Sequence, residues 1–166
     1  MNKARIAGVF YVLTFIGGIY SLVVGGRSGA AAGLIAAASY IAVTIVFYYL
    51  FKPVNRGLSL LAAIISFAGC VAGSLGGNPL APAFLNALVF FGFYCLLIGY
   101  LILKSTFVPA ALGALMMFAG LGWLTFFSSR LATALYPYIL APGIIGEGAL
   151  TVWLLVGHTR MTGVKV

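Results

Sequence analysis

The feature that most constrains this chain is a series of long apolar windows that contain no lysine or arginine. A bilayer core of about 30 Å needs roughly 20 mostly apolar residues in helical conformation. Six windows of about that length lie between charged or Pro/Gly-rich breaks, at residues 6–24, 31–51, 57–76, 82–103, 109–127 and 138–157. We therefore predict an all-α, polytopic membrane bundle of six transmembrane helices, which makes residues 1–166 a single transmembrane domain.

The composition is typical of a protein whose surface mostly faces lipid. Apolar residues make up 64% of the chain, and the charged side chains include one acidic residue, Glu147. A soluble domain of this size would need far more charge to cover its surface. The spacers between the windows are short, so we expect consecutive helices to pack as antiparallel hairpins.

The distribution of the basic residues predicts the orientation in the membrane. Seven of the nine would share one side of a six-helix chain: Lys3, Arg5, Lys52, Arg56, Lys104, Arg160 and Lys165. Arg27 and Arg130 would lie on the other side. By the positive-inside rule, both termini are expected in the cytoplasm. The net charge of +8 then reflects topology and contact with an anionic lipid bilayer. It does not indicate nucleic acid, because no cluster of basic and aromatic residues stands outside the membrane.

Small and aromatic residues support the same arrangement. Gly69 and Gly73 recur at four-residue spacing on the third predicted helix. Small residues at this spacing let helix backbones approach closely in lipid, so we predict that these glycines pack against another helix. Tyrosine and tryptophan residues, among them Trp123, gather near the predicted helix ends. We interpret them as parts of an interfacial aromatic belt.

Three segments carry a resemblance to a known family. They are Lys-Pro-Val-Asn-Arg at 52–56, the stretch at 90–102 that begins Phe-Phe-Gly-Phe-Tyr, and Gly-Glu at 146–147 followed by Trp-Leu-Leu-Val at 153–156. In these segments and their order, the chain resembles the bacterial integral-membrane family catalogued as domain of unknown function 4386. The resemblance implies a multi-helix protein of the bacterial cytoplasmic (inner) membrane without an established activity. The chain departs from the family pattern in its shorter outer loops, and Tyr94 stands where a histidine is common.

The inventory of reactive side chains argues against most enzyme classes. A single glutamate cannot form the carboxylate pair of a glycosidase, and the chain has no aspartate to complete a Ser-His-Asp triad. One histidine, His158, and two separated cysteines do not make a usual metal site. No Gly-rich phosphate loop ends in Lys-Ser/Thr. We therefore assign no catalytic or metal-binding residue and leave any cofactor unspecified.

Glu147 is the one group whose position calls for an explanation. It lies about ten residues inside the sixth predicted helix, which places it roughly 15 Å from the cytoplasmic end and near the middle of the bilayer. A charged carboxylate at that depth is costly, and function is the default hypothesis for such an acid. Gly143, Glu147 and Thr151 share one helix face, which should point into the bundle. We predict that Gly143, like Gly69 and Gly73, packs against another helix. The alternative is a neutral acid that only hydrogen-bonds two helices.

The same depth count suggests partners for Glu147. No lysine or arginine lies at its level, so we expect the carboxyl group to be protonated and hydrogen-bonded to an uncharged side chain. Tyr94 on the fourth helix is the first choice and Ser66 on the third is the second. On the first and second helices, the nearest hydroxyl groups by this count are those of Thr14 and Thr44.

These observations leave three functional hypotheses. The first is a non-catalytic bundle that serves as an accessory subunit of a larger membrane complex or binds a lipophilic molecule. The second is a carrier or channel in which Glu147 takes up and releases a proton. The third is an intramembrane enzyme in which protonated Glu147 acts as an acid to isomerise or cyclise a lipid.

Overall fold

The structure is a computed structural model, and it describes residues 3–76 and 86–156. All regular secondary structure in these two ranges is helical. The helices are α1 (Lys3–Val24), α2 (Gly26–Phe51), α3 (Arg56–Gly76), α4 (Ala87–Lys104), α5 (Ala110–Leu124), α6 (Ser129–Leu135) and α7 (Ala141–Val156). Single 3-10 turns follow α5 at Thr125–Phe127 and precede α7 at Tyr138–Leu140.

Within residues 3–76 and 86–156, six helical segments are long and apolar enough to cross a membrane. They correspond to the six predicted windows, and the all-α, six-span architecture is confirmed. The boundaries differ most at α2, which begins at Gly26 rather than at residue 31, because Gly25 alone separates it from α1. Gly25 and Gly26 have φ angles of 62° and 60°. Only glycine adopts this left-handed conformation readily, so it permits a one-residue reversal between two long helices.

The remaining helix, α6, was not predicted. Its seven residues extend only about 10 Å, too short to cross a bilayer, and its first turn is capped by Ser128, whose side chain accepts a hydrogen bond from the amide of Leu131. At α4 the predicted start falls among residues outside the described part of the chain. The helix as described begins at Ala87, after Asn86, whose side chain accepts from the amide of Leu88.

The six spans form a closed ring in the order α1, α2, α3, α4, α5, α7. Each packs mainly against the spans before and after it, and α7 packs against both α5 and α1. Neighbouring spans run antiparallel: Gly69 of α3 lies against Phe91 of α4, whereas Gly73, one turn later, lies against Ala87, one turn earlier. Because the number of spans is even, the first and last spans, α1 and α7, are also antiparallel where the ring closes.

This alternation brings the basic helix ends together. Lys3 begins α1, Lys52 follows α2, Arg56 begins α3 and Lys104 ends α4. These four residues therefore lie at the same end of the bundle, called the basic end below. Arg160 and Lys165, which the charge argument also used, lie outside the described residues. The basic end and the even number of spans fit the predicted orientation, but which side of the membrane this end faces stays a prediction.

The close crossing between α4 and α5 is built on two pairs of glycines. A Cβ atom on Gly99 would lie 2.7 Å from the carbonyl oxygen of Gly113, and one on Gly113 would lie 2.8 Å from that of Gly99. Gly92 and Gly120 face each other in the same way, with a distance of 2.8 Å from a Cβ on Gly120 to the Gly92 oxygen. No side chain fits between the two backbones at these points. Glycine is therefore what allows α4 and α5 to approach so closely.

Candidate functional site

The site is centred on Glu147, near the middle of the last span, Tyr138–Val156. Its side chain is only 6% exposed. Gly143 and Thr151, which share its helix face, are also buried, and the Thr151 hydroxyl donates a hydrogen bond of 2.7 Å to the backbone oxygen of Glu147. The prediction that Glu147 points into the bundle is confirmed.

The hydrogen-bond partner of Glu147 is Trp123 on α5. The indole Nε1 donates to Oε1 of Glu147 at 2.8 Å. Gly143, one turn before Glu147, leaves room for this contact, because a Cβ at that position would overlap the indole ring. The sequence analysis predicts that Trp123 belongs to the interfacial belt. In the structure, its indole Nε1 is directed to the carboxyl of Glu147 in the interior of the bundle.

Neither predicted partner fills this role, so this part of the prediction was wrong. The Ser66 hydroxyl lies 2.6 Å from that of Thr44. Since Thr44 already donates to the backbone oxygen of Tyr40 at 2.9 Å, Ser66 is the donor in that pair. The Tyr94 hydroxyl has no hydrogen-bond partner among the described residues. The reason is the order of the ring: α5 lies between α4 and α7, so a side chain of α5 reaches Glu147 first.

Three tyrosines from three helices meet beside this pair. Tyr11 of α1, Tyr40 of α2 and Tyr94 of α4 are all buried. The ring of Tyr40 lies between the other two, with its centroid 5.7 Å from that of Tyr11 and 5.7 Å from that of Tyr94. Phe91 of α4 packs against Tyr40 at 4.7 Å. An aromatic layer therefore connects α1, α2 and α4 inside the ring.

The hydroxyl groups of these tyrosines are the unusual feature of the site. Within the described residues, none of the three makes a hydrogen bond. Tyr11, Tyr40 and Cys95 nevertheless lie near enough to the carboxyl of Glu147 to interact with it electrostatically. Leaving a buried hydroxyl unpaired costs about 1–3 kcal/mol, so three such groups beside one acid need an explanation.

We call this group the central polar cluster: Glu147, Trp123, Tyr11, Tyr40, Tyr94 and Cys95, with Thr44 and Ser66 beside Tyr94 and Tyr40. The interaction between Thr44 and Tyr94 and the hydrogen bond between Thr44 and Ser66 connect Ser66 to the rest. The structure thus brings all three candidate residues, Glu147, Tyr94 and Ser66, into one region, although not as direct partners.

The three glycines predicted to pack helices each lie against a neighbouring span. A Cβ on Gly69 would lie 2.9 Å from Cε1 of Phe91, and one on Gly73 would lie 3.3 Å from Cβ of Ala87. Gly143 lies against Trp123, as described above. How much these positions contribute to stability stays a prediction.

Sequence reasoning missed Tyr11, Tyr40, Cys95 and Trp123 as members of the site. A signal for two of them was present: Tyr11 lies eight residues from the start of α1 and Tyr40 eleven from the end of α2, much as Glu147 lies nine from the end of α7. The depth count considered only the hydroxyls of Thr14 and Thr44 on these helices. The phenol groups of Tyr11 and Tyr40 lie three and four residues from these threonines, but the count did not include them.

The fold and the site define a polytopic α-helical membrane protein with its one acidic residue buried among aromatic hydroxyl groups at mid-depth. Residues 78–157 match the family model described as Domain of unknown function (DUF4386), which confirms the resemblance to this domain family. The bacterial attribution stays a prediction. The matched region contains Tyr94, Cys95, Trp123 and Glu147.

A relative extends the similarity to most of the chain. It is an uncharacterized protein of Archaeoglobus fulgidus, 27% identical over 135 residues that cover 75% of this chain and 80% of the relative. No solved structure matches the chain significantly. The comparisons thus support a membrane protein of unknown activity, and any finer assignment depends on the site.

Proposed function

We propose that this protein binds, inside the membrane, a lipophilic small molecule that carries an oxygen-containing polar group. The observation that carries the proposal is that the buried hydroxyl groups of Tyr11, Tyr40 and Tyr94 have no hydrogen-bond partner among the described residues. Those of Tyr11 and Tyr40 lie beside the carboxyl of Glu147. Each hydroxyl can donate one hydrogen bond and accept others. A carbonyl or hydroxyl group of a ligand would provide hydrogen bonds to these three hydroxyl groups, which have no partner among the described residues.

The surroundings of the cluster suit such a ligand. Small-molecule sites are mostly apolar, with a few polar groups that fix the orientation of the ligand. Here Tyr40 packs against Phe91 and Tyr11 packs against Phe47, so the hydroxyl groups lie in mostly aromatic surroundings. The membrane would supply the ligand laterally. We propose the cytoplasmic membrane as the location, with both termini in the cytoplasm.

The test compares what copurifies with the wild type and with single-atom variants. The protein would be isolated in native nanodiscs, and its bound small molecules would be extracted and identified by mass spectrometry. We expect an enriched oxygen-containing lipophilic compound in the wild type and its loss from Tyr40→Phe, which removes one hydroxyl and keeps the ring. Tyr49→Phe is the matched control, because Tyr49 is on the same helix and is 58% exposed.

Two results would contradict the proposal. One is a wild-type preparation that contains only bulk membrane lipids. The other is a profile that Tyr40→Phe and Tyr49→Phe change equally. Recovery of a stoichiometric partner protein without a small molecule would instead support the accessory-subunit hypothesis.

A second candidate function is proton-coupled transport through the same cluster. The specific observation in its favour is that Tyr11, Tyr40 and Cys95 interact with the carboxyl of Glu147, so several groups able to exchange a proton lie together at mid-depth. Proteoliposomes with an internal pH dye would show whether a proton gradient dissipates. Flux that is equal in the wild type and in Glu147→Gln would exclude Glu147 as the proton carrier. The same variant tests the hypothesis that protonated Glu147 acts as an acid on a lipid. For this test, the lipid composition of cells with Glu147→Gln would be compared with that of wild-type cells.

A further inference from the structure

A groove of about 510 Å³ opens at the basic end of the bundle. It lies between the α2–α3 loop, which contributes Asn55, and the α4–α5 junction, which contributes Tyr100, Lys104, Ser105 and Thr106. The two loops are held together beside it, because the rings of Phe51 and Phe107 pack with their centroids 5.6 Å apart. The groove is therefore formed by two fixed chain segments.

The groove lies in a region of uncompensated positive charge. The ammonium group of Lys104 lies 5.7 Å from the centroid of the Tyr100 ring, a cation–π arrangement that keeps the ammonium beside the groove. Lys52 and Arg56, both exposed, flank the loop residues that line the other wall. The one acidic side chain of the protein, Glu147, lies near the middle of the last span. No acidic side chain therefore neutralises this end.

The depth of the groove indicates what kind of anion it meets. Tyr100 is 42% exposed near the end of α4, where tyrosine is typical of the membrane–water interface. Phe93, two turns deeper on α4 and 46% exposed, continues this surface toward the apolar part of the bilayer. An occupant is therefore expected to have an anionic head beside Lys104 and an apolar body along α4. Basic pockets at this level of membrane proteins suit anionic phospholipid headgroups.

We propose that this groove is a binding site for the phosphate headgroup of an anionic phospholipid. Lys104 provides the principal charge, Thr106 provides a hydroxyl donor, and Lys52 and Arg56 add to the local positive potential. This site is independent of the proposed function of the central polar cluster. It lies at the basic end of the bundle and not at mid-depth, and it uses different residues.

The experiment measures lipid binding to the full chain by native mass spectrometry in detergent, with added phosphatidylglycerol or phosphatidylcholine. We expect preferential retention of phosphatidylglycerol by the wild type. Lys104→Gln should weaken this binding about fivefold, the effect of removing one lysine near an anionic surface. Arg130→Gln is the matched control, because Arg130 is exposed on α6 and is not part of the basic end. It should bind phosphatidylglycerol as the wild type does.

Two further variants and a competition with inorganic phosphate distinguish a phospholipid site from a site for other anions. Tyr100→Leu should also weaken binding, whereas Lys104→Arg should retain it, which distinguishes a loss of charge from a loss of folding. Equal retention of the two lipids by the wild type would overturn the proposal. So would an equal loss in Lys104→Gln and Arg130→Gln. Displacement of the lipid by millimolar inorganic phosphate would also overturn it, because it would show that the groove recognises a soluble phosphate.

Discussion

At the scale of single residues, the hydrogen bond from Trp123 to Glu147 connects the two helices α5 and α7 at the level of the buried acid. Glu147 acts as acceptor in this bond, and its carboxyl lies beside Tyr11 and Tyr40. A carboxyl group in apolar surroundings and without a basic partner is expected to be protonated. The Glu147 carboxyl then stabilises the fold through hydrogen bonding and not through charge.

This reasoning predicts different outcomes for two substitutions of the acid. Glu147→Gln should retain nearly the full stability of the protein, because the amide oxygen can accept from Nε1 of Trp123. Glu147→Leu should lower the free energy of unfolding by about 1–3 kcal/mol, because the indole donor is left unpaired. Unfolding in mixed micelles, followed by circular dichroism, measures both.

A double-mutant cycle provides the control for this prediction. Trp123→Phe should cost less in the Glu147→Leu background than in the wild type, because the hydrogen bond has already been lost there. Equal costs in the two backgrounds would show that the contact contributes nothing to stability.

At the scale of helices, the α4–α5 crossing depends on the absence of side chains. In Gly99→Ala, the new Cβ would lie 2.7 Å from the Gly113 oxygen and 2.6 Å from Cγ of Met117. Since backbone cannot move aside without separating the helices, we expect a loss of about 1–3 kcal/mol in the free energy of unfolding. Gly148→Ala is the control, because nothing lies within 4 Å of a Cβ there. It should be neutral or slightly stabilising through helix propensity. Equal stabilities of the two variants would refute the close crossing.

The α3–α4 crossing gives a second prediction at this scale. Gly69→Leu should destabilise the bundle more than Gly73→Leu. Among the described residues, a Cβ at Gly69 would meet both Phe90 and Phe91, whereas one at Gly73 would meet only Ala87. Thermal stability in detergent is the measurement. Gly18→Leu, where a Cβ meets nothing within 4 Å, serves as the matched control. A Gly69→Leu variant that melts at the wild-type temperature would show that this face does not contribute to packing.

At the scale of the whole molecule, an even number of antiparallel spans brings the loops to two opposite ends, and the charge bias predicts which end is cytoplasmic. In a background with Cys70 and Cys95 replaced, Ser129→Cys on α6 should react with a membrane-impermeant maleimide in intact cells. Asn55→Cys, in the α2–α3 loop, should react only after permeabilisation. Tags at both termini should report the cytoplasm. Labelling of Asn55→Cys in intact cells would show that the orientation is opposite to the predicted one.

The sequence by itself determined the spans and the level of the buried acid. Both follow from local properties: a helix satisfies its own backbone hydrogen bonds, and only a long apolar helix is stable in hydrocarbon. Counting residues from a charged helix end therefore placed Glu147, Tyr94 and Ser66 near mid-depth, where the structure also has them. The seven-residue helix α6 was missed because it is too short to produce an apolar window.

Only the tertiary structure decided which helices are neighbours. Depth along a helix is a local quantity, but the order around the ring depends on which faces fit together, such as the glycine pairs of α4 and α5 and the closure of α7 on α1. This order placed Trp123 rather than Tyr94 against Glu147, and it turned Tyr11 and Tyr40 into the interior. Side-chain direction around a helix axis is set by packing against other helices, because in lipid no difference in hydrophobicity between the two sides determines it.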